Sequence, residues 1–359
     1  MRIHQYHSTS PDPFTRGRAL AERFRGQIRR AVEAYRGHFR ALGIDDGTAD
    51  AVADASYQAV VAWSPQYAEE LRGIAAGAGL TVPEVSLLNA RTEVLAAAVP
   101  IGQGECSTLV RVTAPTLAAQ TWDWHPALAP DALLWRYDIG PRHWVKTFTE
   151  PGMLAKIGVN SRGLAAHFNI LHHRGDHAGG GVPVHVIARR ILDEAGTVED
   201  AYRIAASAPV SASTVITVLA VGEEPDDPPA AGSIEISPAG TALVTPGPDG
   251  WLVHTNHFLD PELRTGEATP DDGTTVARYE HLRRVRHGVR GDGLPAVAEA
   301  MCGDARAAAP ICVTEEPDAA PVDRCRTLLT VLLDPAGARI EYWPGTPYEA
   351  ARAGRTLQF

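Results

Sequence analysis

The 359-residue sequence predicts an α+β protein, a layered body in which antiparallel sheets are covered by helices. Helical periodicity dominates the first hundred residues, and short apolar or β-branched segments dominate much of the rest. Helices and hairpins follow each other in blocks and do not alternate as βαβ units do, which favours layered antiparallel sheets. Hydrophobic residues make up 45% of the chain, enough for a sizeable core.

The first hundred residues contain three predicted helical patterns. The first covers about 20–42, the second about 49–61 and the third 69–95. Apolar residues at gaps of three and four form one face of the first predicted helix. These residues are Leu20, Phe24, Ile28, Val32, Tyr35, Phe39 and Leu42.

Two hairpins are predicted next. Residues 107–112 and 117–123 are short strand-like segments separated by Ala-Pro, and 156–159 and 164–171 flank the turn Asn160-Ser161-Arg162-Gly163. The remaining predictions are helices at 184–195 and from the capping-box-like segment 197–200, strands at 213–220, 234–237, 242–245 and 251–255, helices at 274–286 and 294–301, strands at 326–333 and 339–342, and loops at 223–232 and 305–321.

Composition excludes several classes of protein. The net charge of −10 disfavours binding to the phosphate backbone of a nucleic acid. The four cysteines contain no CxxC pair, which indicates free thiols in a reducing compartment. The N-terminus lacks the apolar region of a signal peptide, and no segment approaches 18 consecutive apolar residues. We therefore expect a soluble, cytoplasmic protein without a membrane segment.

The most informative segment is GQGECSTL at 102–109, which places Cys106 at the start of a strand after a glycine-rich approach. A thiol there is held by a sheet and remains reachable from the loop side, although a lone cysteine is more often a small buried apolar residue. On the paired strand, Asp123 stands between two tryptophans, where a carboxylate needs a cationic partner. Asn169 and Asn256 stand near strand ends, and a buried carboxamide needs several hydrogen-bond partners.

Several segments together resemble the penicillin acyltransferase-like family (the acyl-coenzyme A:6-aminopenicillanic-acid acyltransferase family), which is related to bile-salt and penicillin V hydrolases. The order and spacing of the segments carry the resemblance, which extends over nearly the whole chain. The segments are GECSTL (104–109), QTWDW (120–124), VNSRGLAAHFNIL (159–171), HTNHF (254–258) and TTVARYEHL (274–282).

The resemblance implies the four-layer αββα sandwich fold of the N-terminal nucleophile hydrolases and a precursor that cleaves itself between Glu105 and Cys106. The products would be a helical segment, 1–105, and a catalytic body, 106–359, which stay together as a heterodimer. A cysteine at a chain start carries its own base, because an α-amine titrates near ~7.7–8 and can accept the thiol proton. The family commonly has Gly before the cysteine, and Gly tolerates strained backbone, so Glu105 could slow the cleavage.

By the same resemblance, five residues form the catalytic set. Cys106 is the nucleophile, and Asp123 orients its amine. The side chain of Asn256 fills an oxyanion hole, and Asn169 contributes a main-chain N–H there. Arg278 neutralises the buried Asp123.

Four further residues, Trp122, Trp124, His125 and His167, are candidates for lining the acyl pocket, although aromatic residues on strands are often core. No metal or organic cofactor is expected. The histidine-rich segment 172–177 lies in a glycine-rich stretch and has no second cluster at ligand spacing, so it is most simply a solvated loop.

The predicted activity is cleavage of a linear amide bond in a small N-acylated amine, amino acid or peptide, through an acyl–Cys106 thioester. Hydrolysis is favoured, because acyl transfer needs a bound acceptor and no phosphate-binding loop for coenzyme A is evident. Three alternatives remain open. An amine acceptor could take the acyl group from an amide or a coenzyme A thioester, an uncleaved Cys106 could use His254 or His257 as base, or the protein could be a non-catalytic relative that binds a small amide.

Overall fold

Two β-sheets of eight and six strands lie face to face between helical layers. The structure is a computed structural model, which describes residues 1–98, 106–221, 228–270, 274–316, 318–320 and 323–359. Glu105, the residue on the N-terminal side of the predicted cleavage site, lies outside the described residues.

The strands of the described residues are β1 (Arg2–Ser8), β2 (Cys106–Arg111), β3 (Leu117–Trp124), β4 (Asp131–Gly140), β5 (His143–Thr149), β6 (Ile157–Asn160), β7 (Leu164–Ile170), β8 (Thr214–Ala220), β9 (Ala230–Ser237), β10 (Gly240–Val244), β11 (Trp251–His254), β12 (Arg326–Asp334), β13 (Arg339–Trp343) and β14 (Leu357–Gln358). The first sheet has the order β1-β4-β5-β6-β7-β8-β9-β10, and the second has the order β11-β2-β3-β12-β13-β14.

The helices are α1 (Pro13–Arg23), α2 (Arg25–Ala41), α3 (Asp46–Trp63), α4 (Pro65–Ala78), α5 (Val82–Asn89), α6 (Arg91–Leu95), α7 (Val184–Glu194), α8 (Val198–Ala206), α9 (Thr275–Val285), α10 (Leu294–Cys302) and α11 (Pro347–Ala353). Side-chain caps begin several of them. The carboxylates of Asp12 and Asp45 and the hydroxyl of Thr81 each accept an N–H of the first turn, which satisfies a donor with no partner inside the helix.

The layers follow the predicted order. Helices α7 and α8 pack on the outer face of the first sheet, and α9 and α10 pack on the outer face of the second. Helix α5 packs against α7, so the N-terminal helices extend the first helical layer. The predicted α+β class and the helix–sheet–sheet–helix arrangement are confirmed.

Most local predictions hold, with small shifts at the ends. The periodic segment 20–42 covers two helices, because the backbone leaves helical geometry at Phe24 (φ −113°, ψ 23°). Thr197 caps α8 as predicted, its hydroxyl accepting the N–H of Asp200 at 3.0 Å. The loop predicted at 223–232 extends too far, since β9 begins at Ala230.

Two predictions about the sheets were wrong. The first hundred residues are not all helical, because β1 pairs with β4, and this pairing is parallel, so the first sheet is not purely antiparallel. Strands β4 and β5 were not predicted. Charged residues such as Arg136 and Asp138 interrupt the apolar pattern of β4, and its strand structure depends on neighbours on both sides.

The N-terminal helices share a core with the rest of the chain. Leu20 and Ile28 belong to the same buried cluster as Trp122 and Trp135. A buried carboxylate also connects the N-terminal helices to the rest of the chain, because Glu70 of α4 is bound by Arg16 of α1 at 2.6 Å and by Arg189 of α7 at 2.9 Å. Within the described residues, no helix has both the length and the apolar character needed to cross a membrane.

Candidate active site

Cys106 is the first residue of β2 and is only 4% exposed. It pairs in register with Trp122 of β3 on one side. On the other side, β11 pairs with β2 from Trp251 opposite Arg111 to His254 opposite Thr108, and then stops. Continued by two residues, that antiparallel register would place Asn256 opposite Cys106.

The main chain of Cys106 is bound from three directions. Its N–H donates to Oδ1 of Asn256 at 2.8 Å. Its carbonyl oxygen accepts from Nη1 of Arg278 at 2.7 Å and from Nδ2 of Asn169 at 3.1 Å. Three residues singled out from the sequence, on β7, after β11 and on α9, therefore converge on the predicted nucleophile.

The amide of Asn256 has a fixed orientation. Its Oδ1 faces two groups that can only donate, the N–H of Cys106 and Nη2 of Arg278 at 2.9 Å. Its Nδ2 donates to the carbonyl oxygen of Ile170 at 2.9 Å, and its own N–H donates to the hydroxyl of Thr275 at 2.8 Å. In this structure the Asn256 side chain holds the N–H of Cys106, and its role in an oxyanion hole stays a prediction.

Asn169 contacts Cys106 through its side chain, and the main-chain N–H that the resemblance assigns to an oxyanion hole stays a prediction. The main chain of Asn169 lies in the ladder between β7 and β8, opposite Val215. Its Oδ1 accepts from the hydroxyl of Thr108 and from Nε2 of Gln120, both at 2.9 Å. These two donors turn Nδ2 towards Cys106, so Gln120, which the sequence had not singled out, orients a residue of the site.

Arg278 is fully buried on α9. Besides its bonds to Cys106 and Asn256, it donates to the hydroxyls of Ser107 at 3.0 Å and Thr274 at 2.9 Å. Asp123 is equally buried on β3, and its main-chain N–H is bonded to the thiol of Cys106. Arg278 and Asp123 therefore share Cys106 as a neighbour, and their predicted charge pairing stays a prediction.

The thiol of Cys106 is protonated at neutral pH. Burial is the largest cause that raises its pKa, to about 12, and the Asp123 carboxylate acts in the same direction. The positive charges of Arg278 and Lys156 oppose this rise. A reaction at this sulfur therefore needs a base to accept its proton.

The four predicted pocket residues separate in the structure. Trp122 lies beside Cys106 and packs edge-on against Phe148, with ring centroids 5.4 Å apart. Trp124 and His125 lie further along the chain; Nδ1 of His125 is 2.9 Å from the carbonyl oxygen of Arg324.

The fourth residue, His167, is fully buried on β7 and lies near the main chain of Ala118. Ala118 pairs with Val110, four residues along β2 from Cys106. Of the four, Trp122 is therefore the register partner of the nucleophile, and the pocket role of the set stays a prediction.

A buried charged cluster next to Trp122 and Trp124 escaped sequence analysis. Glu150, which follows β5, is bound by Lys156, by Arg91 of α6 and by the hydroxyl of Tyr35 of α2. The available signal was Lys156, one of only two lysines in the chain, at the start of an otherwise apolar predicted strand.

The histidines near Asn256 have other partners. Nε2 of His254 lies 2.8 Å from Glu235, and its Nδ1 lies 3.0 Å from the carbonyl oxygen of Thr255. Nδ1 of His257 lies 2.9 Å from the hydroxyl of Thr275. Among the described contacts neither ring is bonded to Cys106, so the structure does not favour the histidine-assisted alternative.

The histidine-rich segment 172–177 forms turns. Nδ1 of His173 accepts the N–H of Gly175, and the carboxylate of Asp176 accepts from Ser213 and from the N–H of His173. In the part of the chain that the structure describes, no group of three or more His, Cys, Asp and Glu side chains is arranged to hold a metal ion.

Comparison with known families matches residues 112–348 to acyl-coenzyme A:6-aminopenicillanic acid acyl-transferase. This match covers more than half of the sequence, and the chain belongs to that enzyme family. Asp123, Asn169, Asn256 and Arg278 fall within the matched residues, and Cys106 lies just before them.

A curated relative is the 40 kDa form of acyl-coenzyme A:6-aminopenicillanic-acid-acyltransferase of Emericella nidulans, which is 30% identical over 221 residues. The alignment covers 61% of this chain and 60% of that protein. The chain therefore spans about three fifths of the length of the curated relative it matches.

Two solved structures are also similar. Penicillin V acylase from Agrobacterium tumefaciens is 15% identical with a TM-score of 0.38, over 67% of this chain and 83% of that chain. A mutant of conjugated bile acid hydrolase from Clostridium perfringens is 10% identical with a TM-score of 0.38, over 71% of this chain and 92% of that chain.

Proposed function

We propose that this protein is a cysteine amidohydrolase that cleaves its own chain between Glu105 and Cys106 and then cleaves small N-acyl amides. The observation that supports this proposal is the convergence of Asn169, Asn256 and Arg278 on the main chain of Cys106. Two other elements donate to the carbonyl oxygen of Cys106, and a side chain accepts its N–H. A buried cysteine that only packs in a core does not need this set of bonds.

The raised pKa of the thiol supports the use of an N-terminal amine as base. In the intact chain the nitrogen of Cys106 is an amide, which is not basic. After cleavage the same nitrogen is an α-amine that titrates near ~7.7–8 and can take the thiol proton. The hydrogen bond from this nitrogen to Oδ1 of Asn256, at 2.8 Å, would keep the new amine close to its own sulfur.

In the proposed reaction, the sulfur of Cys106 attacks the acyl carbon of the substrate, and the thiol proton moves to the α-amine. The C–N bond then breaks, the proton passes to the leaving amine, and the acyl group remains on sulfur as a thioester. Water attacks the thioester, which releases the acid and restores the thiol. Each attack creates an oxyanion, which Asn256 and Asn169 are proposed to stabilise. Asp123 is proposed to orient the amine, and Arg278 is proposed to neutralise the buried Asp123.

Acyl transfer is the second candidate. The Emericella nidulans relative is named as an acyltransferase, which favours an amine in place of water as the group that takes the acyl chain. The chemistry up to the thioester is the same, so the two candidates differ only in the acceptor.

We further propose that segments 1–105 and 106–359 stay associated after cleavage. Separation would expose the shared core and would break the bonds of Glu70 to Arg189, both of which are fully buried. A buried charge without its partner costs about 3–5 kcal/mol, so the separated fragments would be strongly disfavoured.

The first test is the intact mass of the purified protein beside its Cys106→Ala variant. We expect fragments 1–105 and 106–359 from the wild type and a single chain from the variant. Cys302→Ala, which removes another buried thiol, is the matched control and should cleave like the wild type. An intact wild-type chain would overturn the self-cleavage, and Glu105→Gly would then show whether the glutamate is the obstacle.

The second test follows the acyl group. Cleaved protein is incubated with small N-acyl anilides, with and without an added amine. Release of free acid supports hydrolysis, and formation of a new amide supports transfer. A cleaved protein that gives neither product, and no acyl adduct on Cys106, would contradict the proposed activity.

A further inference from the structure

A buried charged cluster lies under the site, at the boundary between the N-terminal helices and the sheets. Glu150 is at its centre, with its side chain 3% exposed. It accepts from Nη1 of Arg91 at 2.8 Å, from the hydroxyl of Tyr35 at 3.1 Å and from the ammonium group of Lys156. The proposed catalytic mechanism uses none of these four groups.

The cluster holds more positive than negative charge. Two cations share one carboxylate, and the faces of two tryptophans cover them. Nζ of Lys156 lies 3.9 Å from the ring centroid of Trp122, and the guanidinium of Arg91 lies 4.3 Å from that of Trp124. A buried excess charge is costly, and the lysine is the member that can release a proton.

Lys156 changes its protonation state near neutral pH. Burial is the largest cause that lowers its pKa, to about 7, and Arg91 acts in the same direction, whereas Glu150 opposes the change. One further group titrates near this range, because burial raises the pKa of Glu93, which interacts with Arg91, to about 8. Burial raises the pKa of Tyr35 and lowers the pKa of His185 well below its ordinary value, so both stay neutral.

Lys156 and Cys106 meet at the same tryptophan. Cys106 and Trp122 are register partners, so their side chains lie on the same face of the second sheet. The ammonium group of Lys156 lies over that ring. The two groups also interact electrostatically, since Lys156 favours the thiolate of Cys106 and the thiolate favours the ammonium form of Lys156.

We propose that Lys156 is a positioning residue that stabilises the thiolate of Cys106 as a buried ammonium–thiolate pair. The ammonium charge lowers the cost of the thiolate that forms when the S–H bond of Cys106 breaks, and the proton passes to the α-amine or to solvent. Arg278 on α9 also favours the thiolate, and Asp123 on β3 opposes it. This inference rests on the proposed role of Cys106 as the nucleophile and adds a positive charge that favours its thiolate before any α-amine exists.

The first test measures the rate at which iodoacetamide alkylates Cys106 between pH 6 and 9, followed by mass spectrometry of the Cys106 peptide. Removal of a nearby opposite charge shifts a pKa by about one unit or more, so Lys156→Met should slow alkylation roughly 10-fold. Lys156→Arg keeps the charge and should stay close to the wild-type rate. Cys302 and Cys325 in the same samples are internal controls for the fold.

Three results would overturn the inference: equal alkylation rates in the wild type and Lys156→Met, an equally slow rate in Lys156→Arg, or no alkylation of wild-type Cys106 at any pH in the range. A loss of selectivity, with Cys302 alkylated faster in Lys156→Met, would show a disturbed fold. The measurement on Lys156 itself then decides.

That second measurement needs no variant at position 156. The chain has only two lysines, Lys146 and Lys156, so protein labelled with ¹³C at lysine Cε gives two NMR signals, which Lys146→Arg assigns. We expect Lys156 to titrate near neutral pH, far below an ordinary lysine. A midpoint below pH 6, which would leave Lys156 uncharged across the pH range of the alkylation assay, would overturn the inference.

Neither test needs a substrate, and alkylation rates are compared only between chains in the same cleavage state, which intact mass identifies. An intact wild-type chain, or a cleaved chain without amidase activity, would count against the proposed function. Only the alkylation rates and the lysine titration count against the ammonium–thiolate pair, so the two failures can be told apart.

Discussion

Replacing Arg278 by Met tests whether the hydrogen bonds of Arg278 to Cys106 and Asn256 contribute to self-cleavage. The substitution keeps an apolar stem on α9 and removes the donors to the Cys106 carbonyl oxygen, at 2.7 Å, and to Oδ1 of Asn256, at 2.9 Å. A hydrogen bond to a charged group contributes about 1.5–3 kcal/mol.

The lower value applies here, because each acceptor keeps another donor. Asn169 still bonds the Cys106 carbonyl oxygen, and the N–H of Cys106 still bonds Asn256. Two bonds at this value sum to about 3 kcal/mol. If that free energy is lost from the transition state of self-cleavage, the rate falls roughly 100-fold.

The assay is a time course of cleavage after cell-free synthesis, with intact and cleaved chains separated by mass. Arg283→Met is the matched control: Arg283 lies on the same helix with a 51% exposed side chain, 3.5 Å from Glu280, and should leave the rate unchanged. Arg278→Lys retains the charge with fewer donors and should be intermediate. A folded Arg278→Met protein, checked by circular dichroism, that cleaves at the control rate would refute the reasoning.

Three further outcomes are expected. Glu70→Gln should lower the free energy of unfolding in urea by about 3–5 kcal/mol, because Arg16 and Arg189 lose a buried partner. Glu69→Gln removes only an exposed ion pair with Arg72 and should change the free energy of unfolding by about 1 kcal/mol or less. Equal effects of the two variants would contradict the stabilising role of the buried Glu70. Burial lowers the pKa of His167 to about 4, so as the pH falls the histidine is protonated in the unfolded chain before it is protonated in the folded one. The free energy of unfolding should therefore fall between pH 6.5 and 4, and less steeply in His167→Asn. Urea midpoints measured at several pH values would show the difference. The Cys302 and Cys312 sulfurs lie 3.8 Å apart, so oxidised glutathione should join them in a disulfide with reduction to two glutathione thiols, and a peptide map that finds both thiols still free would contradict this.

Local sequence patterns predicted much of the secondary structure. The hairpin of β2 and β3, the pair β6 and β7, and helices α7 to α10 all lie within a few residues of their predicted positions. Strand β1 was missed because its stability comes from pairing with β4, more than a hundred residues away in the chain. Such pairing leaves no local signal.

The sequence alone also supplied the chemical groups of the site and the family. Cys106, Asp123, Asn169 and Asn256 stood out by residue type and position, and the family resemblance added Arg278 and implied a role for each. The structure shows that Asn169 contacts Cys106 through its side chain, and that Gln120, from the motif QTWDW, and Lys156 lie beside the site.

The tertiary structure decided these contacts because they join residues far apart in the chain. The bonds from Asn169, Asn256 and Arg278 to Cys106 span 63, 150 and 172 residues. Periodicity reports only on neighbours within a few residues, so it determines which face of an element is buried. Which donor meets which acceptor depends on how the two sheets and α9 pack, and only the folded chain determines that.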